Sequence, residues 1–207
     1  MNPKSKKLLL LQRNELLSKK QKFLRKKTGR FLFTNFFINF FQDKNIEKKA
    51  ENLFEKEFET FKLFLPNSVK NIMDIGCGLG IINIYLNDFF SSNSNFFLLD
   101  KNRVDNKIKY GFSSNYESYN DLNETKNILS ENDIDSSCIF LFDVEKKIQI
   151  NNKMDLVISL KSMGYHYPVD TYIDLFKKCC TKDTIFIYDV GEDQYDEYYL
   201  KNIFDDV

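Results

Sequence analysis

The stretch Asn71-Ile72-Met73-Asp74-Ile75-Gly76-Cys77-Gly78-Leu79-Gly80 decides how this chain folds. Its apolar beginning reads as a strand, and the glycines that follow turn the backbone sharply before a helix starts. Only seven glycines occur in 207 residues, so three within five positions mark a built turn. Gly76, Gly78 and Gly80 also let the backbone approach a ligand that a Cβ would hold off. Dinucleotide-binding turns need G-x-G-x-x-G and set a pyrophosphate on the following helix. Here the spacing is G-x-G-x-G. Asp74, two residues before the first glycine, would repel a diphosphate and suits a cofactor carrying an α-amino group and a sulfonium.

Outward from this turn, strand and helix patterns alternate. Short apolar runs at Val69–Ile75, Phe96–Leu99, Cys138–Phe142, Leu156–Leu160 and Thr184–Tyr188 are separated by helical stretches near 80–90, 120–132 and 170–180. That alternation predicts an α/β fold, a Rossmann-like and mostly parallel sheet with helices on both faces. Ligands of such sheets lie beyond the carboxyl ends of the strands. The residues closing each run are therefore the binding candidates.

With Asp74, Gly76, Cys77, Gly78 and Gly80 in the form acid-x-G-x-G-x-G, the chain resembles the class I methyltransferases that depend on S-adenosylmethionine (SAM). Three further landmarks of that family occur in order. Asp100 closes Phe96–Leu99, twenty-four residues after Gly76, and corresponds to the acid that accepts hydrogen bonds from the ribose hydroxyls, with Lys101 beside it. Asp143, followed by Val144, corresponds to the acid near the adenine amino group; a plain turn aspartate is the competing reading. Asp155-Leu156-Val157-Ile158-Ser159 matches the fourth strand and leads to Leu160 at the cofactor's edge. The landmarks cover about residues 70–190. The resemblance implies S-adenosyl-L-methionine as cofactor, methyl transfer as activity, and no metal.

The acceptor should meet the segment after the fourth strand, Leu160-Lys161-Ser162-Met163-Gly164-Tyr165-His166-Tyr167-Pro168. His166, the chain's single histidine, is the candidate base, because a neutral imidazole can take a proton from a hydroxyl near neutral pH. A structural histidine is the alternative. Tyr165 and Tyr167 offer an aromatic wall for the acceptor, with cation–π attraction to a sulfonium. The stretch is similar to a Gly-aromatic-His-Tyr-Pro element of small bacterial sugar and glycan O-methyltransferases. The Asn/Asp-Pro-Pro-aromatic element of amino-group methylation is absent, so a hydroxyl of a small molecule or sugar is the expected acceptor, with Lys161 as a second candidate in the base system. Residues 101–119, with Tyr110, Tyr116 and Tyr119, read either as a lid or as a disordered connection.

Upstream of the sheet, residues 1–66 read as a helical cap, with 67–207 as the core. Residues 1–30 hold eleven Lys or Arg and one acid, Glu15, although the whole chain has thirty of each sign. Leu9–Leu10, Leu16–Leu17 and Phe23–Leu24 recur seven apart, which predicts an amphipathic helix with a narrow apolar stripe and a cationic face. Three uses compete for it: a packing or lid helix, contact with an anionic membrane or RNA, and a helix-pairing surface. Six phenylalanines in Phe31–Phe41 indicate packing. Ile46, Ala50, Leu53, Phe54, Phe58, Phe61 and Leu65 fall at helical spacing after a cap at Asp43. No leader or membrane span is read, and the four cysteines form no C-x-x-C pair, so a cytoplasmic protein with reduced thiols is expected. Beyond the fifth strand only Gly191–Val207 remain, less than the helix and antiparallel strand pair with which the family's core continues. A shortened C-terminus is expected: truncated, completed in a homodimer, or without activity. Two rival functions stay open, an RNA or protein methyltransferase using the basic arm, and a non-catalytic module of the SAM fold.

Overall fold

Five strands pair side by side, all parallel, in a computed structural model that describes residues 1–40, 45–91, 93–104, 119–191 and 197–204, the side chains of 37–40 and 165 excepted. They are β1 (Asn71–Ile75), β2 (Asn95–Asp100), β3 (Ile139–Asp143), β4 (Leu156–Ser159) and β6 (Ile185–Tyr188), in the order β3-β2-β1-β4-β6. The chain winds outward from β1 through β2 to β3, then returns to β1's other side for β4 and β6. This Rossmann-like order reverses direction between β1 and β4, which opens a crevice at their carboxyl ends. The register sets Ile75 beside Leu99, and Asp100 beside Asp143. β1 and β4 are buried along their whole length. That is why apolar residues dominate both of them, while edge strands β3 and β6 are only partly covered.

One face of the sheet carries α5 (Ile81–Phe89), which leaves the glycine turn, and α6 (Leu122–Glu131), which Asp121 caps through Asn123 N–H and Glu124 N–H. The other face carries α7 (Ile173–Cys179) and α8 (Glu197–Lys201). No helix intervenes between β3 and β4. Residues 144–155 cross this face as extended chain and sink Ile150 and Met154 against Val169, Tyr172 and Phe176. A further strand, β5 (Ser162–Tyr167), lies outside the five-stranded sheet. It takes the segment expected as a substrate loop and makes it a strand.

Four helices precede the sheet: α1 (Pro3–Gln12), α2 (Lys19–Thr28), α3 (Arg30–Phe40) and α4 (Ile46–Phe61). α4 buries Ile46, Ala50, Phe54, Phe58 and Phe61, as its periodicity predicts, and stacks Phe58 on Tyr85 of α5 at 5.8 Å. The expected Asp43 cap lies outside the described residues; the cap position is Asn45. The single amphipathic helix expected over residues 1–30 does not form. Arg13–Ser18 interrupts it, and Ser18 starts α2 with a reciprocal capping box to Gln21. Leu8, Leu9, Leu10 and Leu11 are each at most 2% exposed. Four consecutive buried residues go all the way round a helix, so α1 is a core helix and not a striped surface one. Its leucines share a cluster with Leu79 and Ile81 at the start of α5 and with Ile128 of α6. Phe23 and Leu24, read as part of the stripe, face solvent instead. No helix among the described residues is long and apolar enough to cross a membrane.

Because Leu9 is fully buried between α1 and the α5–α6 layer, Leu9→Ala should cost about 2–5 kcal/mol. Urea unfolding would show this as a lower midpoint of one cooperative transition. An unchanged midpoint would mean that α1 folds apart from the sheet.

Candidate functional site

The glycine turn is held from three directions. Gly76 N–H and Cys77 N–H both donate to Leu99 O, at 2.7 and 3.2 Å, so the turn is tied to the end of β2. Gly78 N–H donates to Asp100 Oδ2 at 2.7 Å. Gly78 O accepts from Asn120 Nδ2 at 2.8 Å and from Thr125 Oγ1 at 2.7 Å. One residue of the turn thus joins the end of β2 to α6 and the residues just before it. Gly76 and Gly78 have φ of 74° and 53°, the left-handed region that favours glycine. A Cβ at Gly76 would meet Ser162 Oγ at 2.1 Å, and one at Gly78 would meet Gln12 Oε1 at 2.8 Å. Packing against β5 therefore requires glycine at Gly76, while at Gly78 the end of the Gln12 side chain lies over the turn.

Asp100 is the centre of this arrangement. Its Oδ1 accepts from Lys101 N–H at 2.7 Å, and its Oδ2 from Gly78 N–H and, at 3.1 Å, from Asn120 Nδ2. Burial raises its pKa to about 6 against the pull of these donors. Asn120, 2% exposed, also accepts from Gln12 Nε2 at 3.3 Å, which connects the acid to the N-terminal helices. Asp74 lies deeper, 3% exposed, and accepts from Asn83 Nδ2 at 2.6 Å. Burial, aided by the charge of Asp100, raises its pKa to about 7. Asn83 Oδ1, on the same amide, is buried with no donor among the described residues.

Other sequence-derived candidates divide between two sides of β5. A cavity of about 1060 Å³ lies under the extended β3–β4 crossing, and Lys101, Val144 and Tyr167 meet in its wall with Tyr172 and Lys178. Lys101 is 8% exposed, with its ammonium 5.7 Å from the Tyr167 ring and 4.0 Å from Glu145. Burial, with Tyr167 and Asp100 adding to it, pushes the Tyr172 hydroxyl well above its usual pKa. Side chains alternate along a strand, so His166 points to the opposite side from Tyr167. The imidazole is exposed, yet partial desolvation and the charge of Arg30 lower its pKa. Arg30 in turn lies 4.9 Å over the Tyr119 ring, and Tyr119 O accepts from Gln12. The side chain of Tyr165 and residues 105–118, including Tyr110 and Tyr116, lie outside the described residues.

Two candidates are engaged elsewhere. Lys161 has φ of 59° and reaches the N-terminal helices, where its ammonium pairs with Glu15 and, at 2.9 Å, with Glu57. Burial alone would lower its pKa, but the bonds to Glu15 and Glu57 outweigh that and raise it. Its ion pairs tie the end of β4 to the helical layer. Asp143 caps its own turn, accepting from Glu145 N–H at 3.1 Å and pairing with Lys146 at 3.3 Å. That geometry is the turn aspartate of the competing reading. Leu160 is partly buried and packs on the core. Sequence reading missed Gln12, Asn120, Thr125 and Ser162. Nothing local distinguishes Asn120 from any residue preceding a helix cap, and Gln12 acts across more than a hundred residues of chain. All four cysteines are free, and no group of three or more His, Cys, Asp or Glu among the described residues could hold a metal ion.

No protein-family model matches the chain, and no curated protein does. Among solved structures it is similar to StiE O-MT, at 18% identity over 74% of this chain and 49% of that one, with a TM-score of 0.49. It is also similar to the precorrin-6y C5,15-methyltransferase of Geobacter metallireducens, at 15% identity over 72% and 67%, TM-score 0.48. The Trypanosoma brucei PRMT1 enzyme–prozyme complex with AdoHcy matches at 19% identity over 58% of this chain, TM-score 0.40. The chain spans 33% of that PRMT1 chain and about half of StiE O-MT. At such identities and TM-scores the likeness adds nothing to the strand order already described.

The two raised carboxyls fix a pH dependence. A folded-state pKa above the unfolded value means that the native protein binds the extra proton, so these groups destabilise it as pH rises from about 3.8 to about 7 for Asp74 and to about 6 for Asp100. Asp74→Asn, which mimics the protonated acid, should raise the denaturation midpoint above about pH 7 and make no difference below about pH 3.8. Equal midpoints at both ends would mean that Asp74 titrates normally.

Proposed function

We propose that the chain binds S-adenosylmethionine at the glycine turn and transfers its methyl group to a hydroxyl of a small molecule or sugar. The observation that carries this reading is the bond from Gly78 N–H to Asp100 Oδ2, which draws the glycine turn and the acid ending β2 into one site at the reversal of strand order. The residues present fit the cofactor. An ionised carboxylate has about four acceptor positions, and the described residues donate three bonds to Asp100. Capacity is left for a ribose hydroxyl. Lys101 and Val144, which follow the two neighbouring acids, open onto the cavity and would flank the adenine. Asp74 and the Gly76–Gly80 turn would face the amino-acid end.

When bound, the cofactor supplies an electrophilic methyl on a sulfonium. The chain's own work is to align an acceptor oxygen with it and to remove the acceptor's proton. His166 is the base in this reading, since its depressed pKa keeps a ring nitrogen unprotonated at neutral pH. An acceptor would reach it between β5 and the layer formed by Arg30 and Tyr119. Tyr167, on the cavity side of β5, would line the cofactor, and Lys161 would serve as a positioning residue that holds β4 against α4.

A second reading, a non-catalytic module of the same fold, is favoured by the self-sufficiency of the site. Ser162 and Gln12 fill the space beside Gly76 and Gly78, and Asp100 is already bonded within the chain.

Calorimetric titration with SAM and S-adenosylhomocysteine separates the two. Micromolar binding, reduced about tenfold or more by Asp100→Ala, is expected if a charge-assisted ribose contact is lost. No binding by the folded wild-type chain would leave the second reading. For a hydroxyl acceptor found by screening, His166→Gln should lower kcat by about 100-fold or more with cofactor affinity unchanged. The wild-type rate should also fall on the acid side only below about pH 6.5, the ordinary histidine value. An unaffected kcat would remove His166 from the reaction.

A further inference from the structure

α2 turns one arginine inward and its apolar residues outward. Arg25, 7% exposed, is the one buried residue of the helix, and its guanidinium donates to Leu10 O at 2.9 Å and to Leu11 O. These are carbonyls at the end of α1, where a cation is favoured. The anchor sets the rotation of the helix. Residues two positions away lie about 200° round, so Phe23 and Lys27 must face away from the protein. Phe23 is 61% exposed, Leu24 beside it 43%, and the Lys27 ammonium lies 4.6 Å over the Phe23 ring. Across Gly29, α3 repeats the pattern: Thr34 is fully buried and Leu32, two positions back, is 65% exposed.

The same hairpin holds the cations that the rest of the structure does not use. Of the basic residues in the first thirty, Lys4 pairs with Asp121, Lys6 with Glu47 and Arg13 with Glu57, while Arg25 caps α1. Lys19, Lys20, Lys22, Lys26 and Lys27 are all exposed on α2 and meet no acid among the described residues. No Asp or Glu occurs anywhere between Glu15 and Asp43. Five lysines around an outward Phe and two outward Leu define an interfacial surface. Ammonium groups suit anionic headgroups, and apolar side chains suit the layer just below them. A nucleic acid would satisfy the lysines and could stack on Phe23, but it offers nothing to Leu24 and Leu32.

We infer that the α2–α3 hairpin docks this protein on an anionic lipid surface, with Phe23, Leu24 and Leu32 entering the headgroup region and the α2 lysines lying over it. The inference stands on the hairpin alone and is independent of the cofactor reading. Co-sedimentation of the full chain with phosphatidylcholine vesicles, with and without phosphatidylserine, tests it. Binding is expected only with phosphatidylserine. Phe23→Ser with Leu32→Ser should weaken it about tenfold or more, the loss of buried apolar side chains, and each of Lys19→Gln and Lys26→Gln about fivefold. Circular dichroism should be unchanged in every variant, since all four positions face solvent. Two outcomes would overturn the inference. One is no sedimentation with phosphatidylserine vesicles at low salt. The other is binding that follows the lysines but ignores Phe23 and Leu32, together with equal or tighter binding to RNA, which would make the hairpin a nucleic-acid surface.

Discussion

Gly78 is the residue on which the molecule is hung. Its N–H goes to the carboxylate ending β2, and its carbonyl accepts from Asn120 and Thr125 at the start of α6. A buried peptide must find partners for both groups, and here each partner comes from a different element. Asp100 must stay at its strand end to receive the donor. Asn120 must enter α6 at one angle, and the turn must remain in the left-handed backbone that carries it there. The price is two carboxyls, Asp74 and Asp100, in surroundings that resist their charge. Structure held so tightly around groups so poorly solvated belongs to a site more than to a simple turn.

The sheet could be read from the sequence because its physics is local. β1 and β4 are mostly apolar and buried at every position since they are covered on both faces, and the helices between them repeat with the period of their buried side. Asp100 could be found for the same reason: it ends a run, and ends of runs are where open parallel sheets bind. What failed depended on distant parts of the chain. The pairs Leu9–Leu10 and Phe23–Leu24 look alike in sequence, yet one is in the core and the other is in water, because Arg25 takes the inward place on its helix to reach two carbonyls fourteen and fifteen residues earlier. Nothing near Lys161 in sequence announces its pairing with Glu15 and Glu57. His166 and Tyr167, adjacent in sequence, were assigned to one site as a loop. As a strand they face opposite ways.

The helical layer also changes how the glycine turn should be viewed. Gln12 covers Gly78, Lys161 ties β4 to Glu57, and Arg13 lies at 2.8 Å from Glu57 and 4.7 Å from the Phe54 ring. Residues of the N-terminal helices therefore contact both the glycine turn and the end of β4. Small rearrangements of α1 and α4 would be felt at the turn without any residue of the sheet moving.

The burial of Leu8–Leu11 has a consequence for synthesis on the ribosome. α1 emerges well before the side chains that cover it, which include Leu79, Ile81 and Ile128. At about 5–20 residues per second, on the order of ten seconds pass before those partners exist. For that interval four consecutive leucines stand uncovered beside a lysine-rich segment. A helix buried in the finished protein thus waits, in water or in the keeping of a chaperone, for its partners to be made.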